Sequence, residues 1–349
     1  MGPAQPRSQE STEETRRHQE LTVTQLENHA PDPPTDARAT ATFAALENSV
    51  AAVVATTPAT IRLAVACVAA GGHLLVEDHP GLGKTTLAKA LAGALGLGFH
   101  RLQCTADLLP ADVVGATVLG PDGTEPTFRP GPVFTNVLMA DELNRASPRS
   151  QSALLEAMEE HQVSVDGVTH ALPVPFFVLA TQIPFDATGT SPLPHGQRDR
   201  FLVRLMLGYP SRARMDAMLA GPDPADTVRR VRPSVAPDEF RELMHAVTRV
   251  HVAPPVRSYI LDLVESTRAH PLVAVGASPR AALALTRVSS AMAVASGRTF
   301  VSPDDVQAAA VPSLAHRLLL QPGVEVSGGE GEALVAEVAA SIPVPLRGD

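Results

Sequence analysis

The sequence predicts an α/β fold, a mostly parallel sheet with helices on both faces, followed by a small all-α domain. Three observations predict it. Short apolar stretches alternate with amphipathic ones between residues 73 and 207, the pattern of strands joined by helical crossovers. A glycine-rich turn at residues 78–86 joins one such strand to one such helix. After Gly208-Tyr209-Pro210-Ser211 the alternation stops, and apolar residues recur at helical spacing up to residue 320.

In chain order, residues 1–38 read as a disordered tail, polar and poor in bulky apolar side chains, with Pro31-Asp32-Pro33-Pro34 near its end. A domain over 39–211 begins with a helix that sets Phe43, Leu46, Val50 and Val53 on one face. A second helix spans 58–70. Strands are expected near 73–77, 100–103, 137–141, 175–180 and 201–207, and helices near 84–95, 110–115, 148–160 and 196–200. Ser147-Pro148 is a cap followed by a first-turn proline, opening the helix that carries Leu154, Leu155 and Met158. Asp166-Gly167 is the turn of a hairpin over 163–169. A second hairpin or loop occupies 117–131, around Gly120-Pro121-Asp122-Gly123. Residues 212–237, rich in Pro, Asp and Arg from 222 on, read as a linker. Helices near 238–250, 255–268, 279–296 and 303–320 then form a bundle over 238–322, with Ser278-Pro279 and Ser302-Pro303 as starts. A Gly-rich stretch, a short helix and a loose end fill 323–349.

The turn at 78–86 reads Asp-His-Pro-Gly-Leu-Gly-Lys-Thr-Thr. Strand, Gly-rich turn, Lys-Thr and helix is the layout of a nucleotide phosphate loop. Gly81 and Gly83, within Pro80-Gly81-Leu82-Gly83, let backbone N–H groups close on phosphate oxygens. The helix after Gly83 aims its positive end at the same phosphates, with Thr86 in its first turn. Lys84 supplies a point charge for the β- and γ-phosphates, and Thr85 a hydroxyl for Mg²⁺. Lys84 and Lys89 are the only lysines in an arginine-rich chain, so a lysine at this place is not a compositional accident. The partner motif is Val137-Leu138-Met139-Ala140-Asp141-Glu142, an apolar strand ending in two acids. The first acid is placed to hold Mg²⁺, the second to polarise an attacking water.

Composition narrows the alternatives. A chain of 349 residues with 44% hydrophobic content builds its core without staples. Cys67 and Cys104 are the only cysteines and are expected as buried free thiols in a reducing cytoplasm. His and Cys show no metal-ligand spacing. A net charge of −9, no Trp and two Tyr argue against a nucleic-acid partner. The most apolar stretch, 49–76, is interrupted by Pro58 and Arg62, so no membrane span is expected.

Longer stretches carry a family resemblance. Leu108-Leu109-Pro110-Ala111-Asp112-Val113-Val114-Gly115, Phe128-Arg129-Pro130-Gly131-Pro132-Val133-Phe134 and Ala140-Asp141-Glu142-Leu143-Asn144-Arg145-Ala146, running on through Gln151 to Glu160, resemble the MoxR family of AAA+ ATPases over roughly residues 40–320. The resemblance implies a P-loop AAA+ nucleotide domain with a helical lid, ATP and Mg²⁺ as cofactors, and a homo-oligomeric ring of six subunits. It further implies a partner with a von Willebrand A domain and a client complex that is remodelled. Residue by residue, it places Arg200 on the neighbouring subunit's γ-phosphate. It places Arg280, in Ser278-Pro279-Arg280-Ala281, as the lid arginine on nucleotide in the same subunit.

Three departures from the family pattern stand out. Ile183, in Ala180-Thr181-Gln182-Ile183-Pro184, stands where the family has a water-positioning asparagine, which predicts slow hydrolysis. On an alternating strand Thr181 and Gln182 face opposite ways, so Gln182 is expected to point away from the water. His195 and Arg198 replace glutamate and leucine ahead of Asp199-Arg200-Phe201, and Arg198 is a second candidate for the trans role. Asp78 stands at the first glycine of the phosphate loop. Two other functions compete with a remodelling ATPase: a nucleotide-binding switch with little hydrolysis, favoured by Ile183, and a nucleic-acid motor, disfavoured by the charge.

Overall fold

A computed structural model describes residues 37–119, 125–182, 193–324 and 329–345. Residues 1–36 of the expected tail, the turn at 120–124 and Ile183 lie outside them. Five parallel strands form the central sheet in the order β2–β5–β8–β1–β9. They are β1 (Leu74–Glu77), β2 (Phe99–Gln103), β5 (Val137–Asp141), β8 (Phe177–Gln182) and β9 (Val203–Leu205). Two antiparallel hairpins stand apart, β3 (Gly115–Leu119) with β4 (Pro126–Pro130), and β6 (Gln162–Val165) with β7 (Val168–Ala171). Asp166 and Gly167 turn the second with φ of 51° and 81°, the left-handed pair that a two-residue turn requires.

Alternation along the strands sorts two cores. Leu74, Val76, Val137, Met139, Phe177 and Leu179 face one side. There they meet α1 (Ala37–Ala51), α2 (Pro58–Ala69) and α3 (Lys84–Leu95) through Phe43, Ile61 and Leu91. Leu75, Leu138, Ala140, Val178 and Ala180 face the other, against Leu154, Leu155 and Met158 of α5 (Pro148–Glu160). Period two on strands buried on both faces is what a sandwiched parallel sheet demands. Truncating a fully buried leucine here, such as Leu91, is expected to cost about 2–5 kcal/mol. The short helices α4 (Pro110–Val114) and α6 (His195–Arg198) complete this part.

Residues 212–237 are not the plain linker that composition suggested. Two helices occupy them, α7 (Arg212–Ala220) and α8 (Pro224–Arg229). The residues that read as linker are also helix starters: Ser211 accepts from the N–H of Arg214, and Asp223 from that of Ala225. The first helix also begins two residues inside the expected tail, at Ala37.

Beyond lie α9 (Pro237–Arg249), α10 (Pro254–Ala269), α11 (Pro279–Ala295), α12 (Pro303–Leu314) and α13 (Glu330–Ser341). Their buried residues, among them Phe240, Leu263, Leu285 and Val335, share one core with the first face of the sheet. The helix expected to reach residue 320 stops at Leu314. A 3₁₀ turn, Ala315–Arg317, follows, and Leu319–Leu320 (β11) pairs antiparallel with β10 (Val273–Val275). Among the described residues no helix is long and apolar enough to cross a membrane.

Candidate functional site

The carboxyl ends of β1, β2, β5 and β8 lie side by side, the edge at which open α/β sheets bind ligands. The phosphate loop leaves β1 there. Gly81 and Gly83 have φ of 86° and 91°, and a Cβ at either would meet nothing within 4 Å. That is an open cradle in a backbone shape that favours glycine. Gly83 caps α3 without a side-chain hydrogen bond, so the N–H groups at the start of α3, which carries Lys84, Thr85 and Thr86, have no side-chain cap. The residues fit a bound polyphosphate.

Lys84 Nζ donates to the carbonyls of Asp78 at 2.6 Å and His79 at 2.7 Å. Burial pulls its pKa down, opposed by the charges of Asp78, Asp141 and Glu142. The loop lysine and both strand-end acids therefore share one electrostatic neighbourhood.

Asp78, at the place of the first glycine of the general phosphate-loop motif, is buried. Its Oδ2 accepts from the N–H groups of Leu207 and Gly208, both at 2.8 Å, and its Oδ1 from its neighbour His79 at 2.9 Å. It clamps the start of the phosphate loop to the end of β9.

Asp141 is also buried. Its Oδ1 accepts from the Thr181 hydroxyl at 2.6 Å, and its Oδ2 from the Arg101 guanidinium, with Nε at 3.1 Å. Thr181 Oγ1 in turn accepts the N–H of Glu142 at 2.8 Å. Glu142 has φ 57°, a left-handed conformation that costs free energy in a non-glycine residue and persists where its surroundings enforce it. Its carboxylate accepts from Arg145 at 2.9 Å and Gln103 at 3.2 Å. Gln182 faces away, toward Glu77 at 3.2 Å. Among the described residues no cluster of three or more His, Cys, Asp or Glu can hold a metal ion.

The two arginines lie elsewhere. Arg200 Nε donates to Glu159 Oε2 at 2.8 Å, and Arg280 Nη2 donates to Glu159 Oε1. The hydrogen bonds of Arg280, then of Arg200, hold this carboxyl below the usual carboxylate range. All three side chains line a cavity of about 330 Å³ with Gly71, Gly72 and His73, which lead into the amino end of β1. The phosphate loop leaves the other end of that strand, and a strand rises about 3.3 Å per residue. The resemblance expects Arg280 on nucleotide in its own subunit; the side chain it meets here is Glu159, beside Arg200. The physical reason is the seating of α11 on α2 and on the loop at Gly71, where Arg287 donates to the carbonyl of Ala70 at 2.6 Å.

Cys67 and Cys104 are buried and free, their thiols pushed up to about 12 by burial. Neither acts as a nucleophile at neutral pH. Arg101 and Glu159 escaped the reading of the sequence. Thr181 had a signal there, its alternation with Gln182 on a strand beside the acidic one.

A phosphate loop and strand-end acids on one edge of a five-stranded parallel sheet, with a helical lid beyond, define an ATPase of the AAA+ class. Residues 73–203 match the ATPase family associated with various cellular activities, and residues 265–338 match the AAA lid domain. The chain is 43% identical to the uncharacterised protein YeaC of Bacillus subtilis over 285 residues, 82% of this chain and 89% of that one. It is 34% identical to chaperone MoxR1 of Mycobacterium tuberculosis over 287 residues, 78% of this chain and 74% of that one. The crystal structure of a candidate ATPase from Cytophaga hutchinsonii superimposes with a TM-score of 0.80 at 31% identity, covering 94% of this chain and 99% of that one. The chain belongs to the MoxR family of AAA+ ATPases.

Proposed function

We propose that the chain is one subunit of a nucleotide-driven ring whose active sites are shared between neighbours. Lys84, Thr85 and Thr86 hold the phosphates of ATP, and Thr85 and Asp141 hold Mg²⁺. Glu142 activates the water. Arg200 and Arg280 act together on the γ-phosphate of the adjacent subunit. One observation carries this reading: both arginines sit on Glu159 at the amino edge of the sheet, while the phosphate loop is at the carboxyl edge. A head-to-tail ring brings those edges together. Stabilising charge on the transferring phosphoryl group is the work such arginines do.

The output of the cycle is remodelling of a partner complex in the cytoplasm, with a von Willebrand A protein as adaptor. The chaperone name of the mycobacterial relative and the family resemblance support it. Hydrolysis is slow, because Ile183 offers the water no hydrogen bond.

Calorimetry and sedimentation test this reading. Mg-ATP should bind and drive assembly, and Lys84→Ala should weaken binding by about 1.5–3 kcal/mol. A monomer at all concentrations with full turnover overturns it.

One observation favours the switch instead. Arg101 neutralises Asp141, the acid assigned to the metal. Steady-state phosphate release separates the two: a switch binds Mg-ATP and releases almost no phosphate.

A further inference from the structure

Arg200 lies on a segment that the lid grips from several sides. His195 Nε2 donates to the carbonyl of Arg317 at 2.6 Å. His316 Nε2 and Arg317 Nη2 donate to the carbonyl of Phe201, at 3.0 and 2.6 Å. Arg317 Nη1 stands 3.4 Å from Asp199 Oδ1. One guanidinium thus touches the residue before Arg200 and the residue after it. The other oxygen of Asp199 accepts from the Ser278 hydroxyl at 3.1 Å. Ser278 caps α11, two residues ahead of Arg280, by accepting the N–H of Ala281 at 3.2 Å.

Arg317 is 2% exposed. Burial pulls its pKa down to about 10, against the pull of Asp199, so it remains a cation at neutral pH. The pair as a whole is a poor source of stability, because replacing both members of a buried ion pair by apolar side chains of similar volume is often neutral, whereas removing one member alone destabilises the fold. What a planar fork does that an apolar side chain cannot is hold one acceptor, the Phe201 carbonyl, by a hydrogen bond while keeping its other arm in an ion pair with Asp199.

We propose that Arg317 is the positioning residue for the trans-acting arginines. It sets Arg200 through Phe201 and Asp199, and it registers Arg280 through Asp199 and Ser278. A lid shift that moves the turn Ala315–Arg317 would then reach both arginines at once. This inference rests on the shared-site reading above.

The test uses the full chain with Arg317→Met and Arg317→Lys. Both should bind Mg-ATP within about twofold of wild type, because the phosphate loop is untouched. Turnover should fall about tenfold or more in the methionine variant and about threefold in the lysine variant, which keeps the charge and loses the fork. Each variant mixed with Glu142→Gln subunits should regain turnover, because the two defects belong to opposite sides of one interface. Mixed with Arg200→Ala subunits, it should not. Arg200→Ala with Glu142→Gln is the control. If that control stays inactive, the shared site itself is wrong. If the control recovers while a folded Arg317 variant turns over like wild type, or stays inactive with Glu142→Gln, the role of Arg317 is overturned. Should Arg317→Met fail to melt cooperatively, Arg317→Lys carries the same two readouts alone.

Discussion

Arg200 and Arg280, 80 positions apart in the chain, hold opposite oxygens of one carboxylate, Glu159. Two guanidiniums gathered at one anion, each still partly open to solvent, are where the proposed shared site needs a receptor for a neighbour's phosphate. Family resemblance alone assigned them to different sites, one in trans and one in cis. Their meeting changes what each should do on mutation.

Arg280→Ala should behave as a trans mutant. Alone it should lose turnover by about 10²–10³, the scale of removing one transition-state donor. Mixed with Glu142→Gln subunits it should recover, because the site joining an intact Glu142 to an intact arginine pair is rebuilt. A cis arginine gives the opposite result, since every mixed site then lacks one of the two groups. Coupled phosphate-release measurements on the mixtures check it.

Asp78 stands where the general phosphate-loop motif has its first glycine. Its carboxylate accepts three backbone N–H bonds, two of them from Leu207 and Gly208 across the sheet. Asp78→Gly, which restores the commoner residue, should therefore destabilise the fold by about 3 kcal/mol, by stranding those donors. Urea unfolding of the two proteins checks this. An unchanged midpoint removes the clamp.

These residues show what the sequence made legible. The phosphate loop and Asp141-Glu142 are local strings whose chemistry is written in their order. The central strands β1, β5 and β8 were visible for the same reason, since each is an apolar run buried almost throughout, whereas the edge strands β2 and β9 carry polar residues and were visible from their place in the alternation. The partners of Asp78, Asp141 and Arg280 lie 40 to 130 positions away and follow from how the elements pack. The lid helix stopping at Leu314 is the same kind of miss. Its apolar periodicity runs on, and buried contacts of His316 and Arg317 with Phe201 end it.

His73 should make stability acid-sensitive. It is buried, with Nδ1 accepting the N–H of Val178 and Nε2 donating to the carbonyl of Met158, both at 3.0 Å. Those partners admit only the neutral ring. Burial lowers its pKa to about 4, and His161 and Arg287 push the same way. The unfolded histidine takes up a proton near pH 6.5, so between there and about 4 the unfolded chain binds the extra proton. Its contribution is complete above pH 6.5, shrinks on acidification by about 3 kcal/mol in all, and levels off below the folded value. Urea melts from pH 7.5 to 4.5 should show a shallower fall in His73→Gln than in wild type. His316, also buried with a lowered pKa, slopes equally in both proteins, so their difference isolates His73. Parallel curves would refute the assignment.

Thr181 is the hinge of the chemistry at the acidic strand. Its hydroxyl gives its one proton to Asp141 and accepts the N–H of Glu142. That second bond holds Glu142 in its left-handed conformation, against a backbone preference of about 1–3 kcal/mol. Thr181→Val keeps the shape and removes both bonds. Asp141 loses a charge-assisted partner, and Glu142 becomes free to relax to an ordinary φ, carrying its carboxylate off line. Misplacing a reacting group by about 1 Å costs on the order of 10²-fold in rate, so single-turnover hydrolysis should fall by about that factor. Mg-ATP affinity should change much less, because the phosphate loop keeps its own contacts. Thr181→Ser restores the hydroxyl and should return most of the rate. If the rate of Thr181→Val equals that of wild type, the position of Glu142 does not depend on this bond, and the strained backbone at residue 142 has another cause.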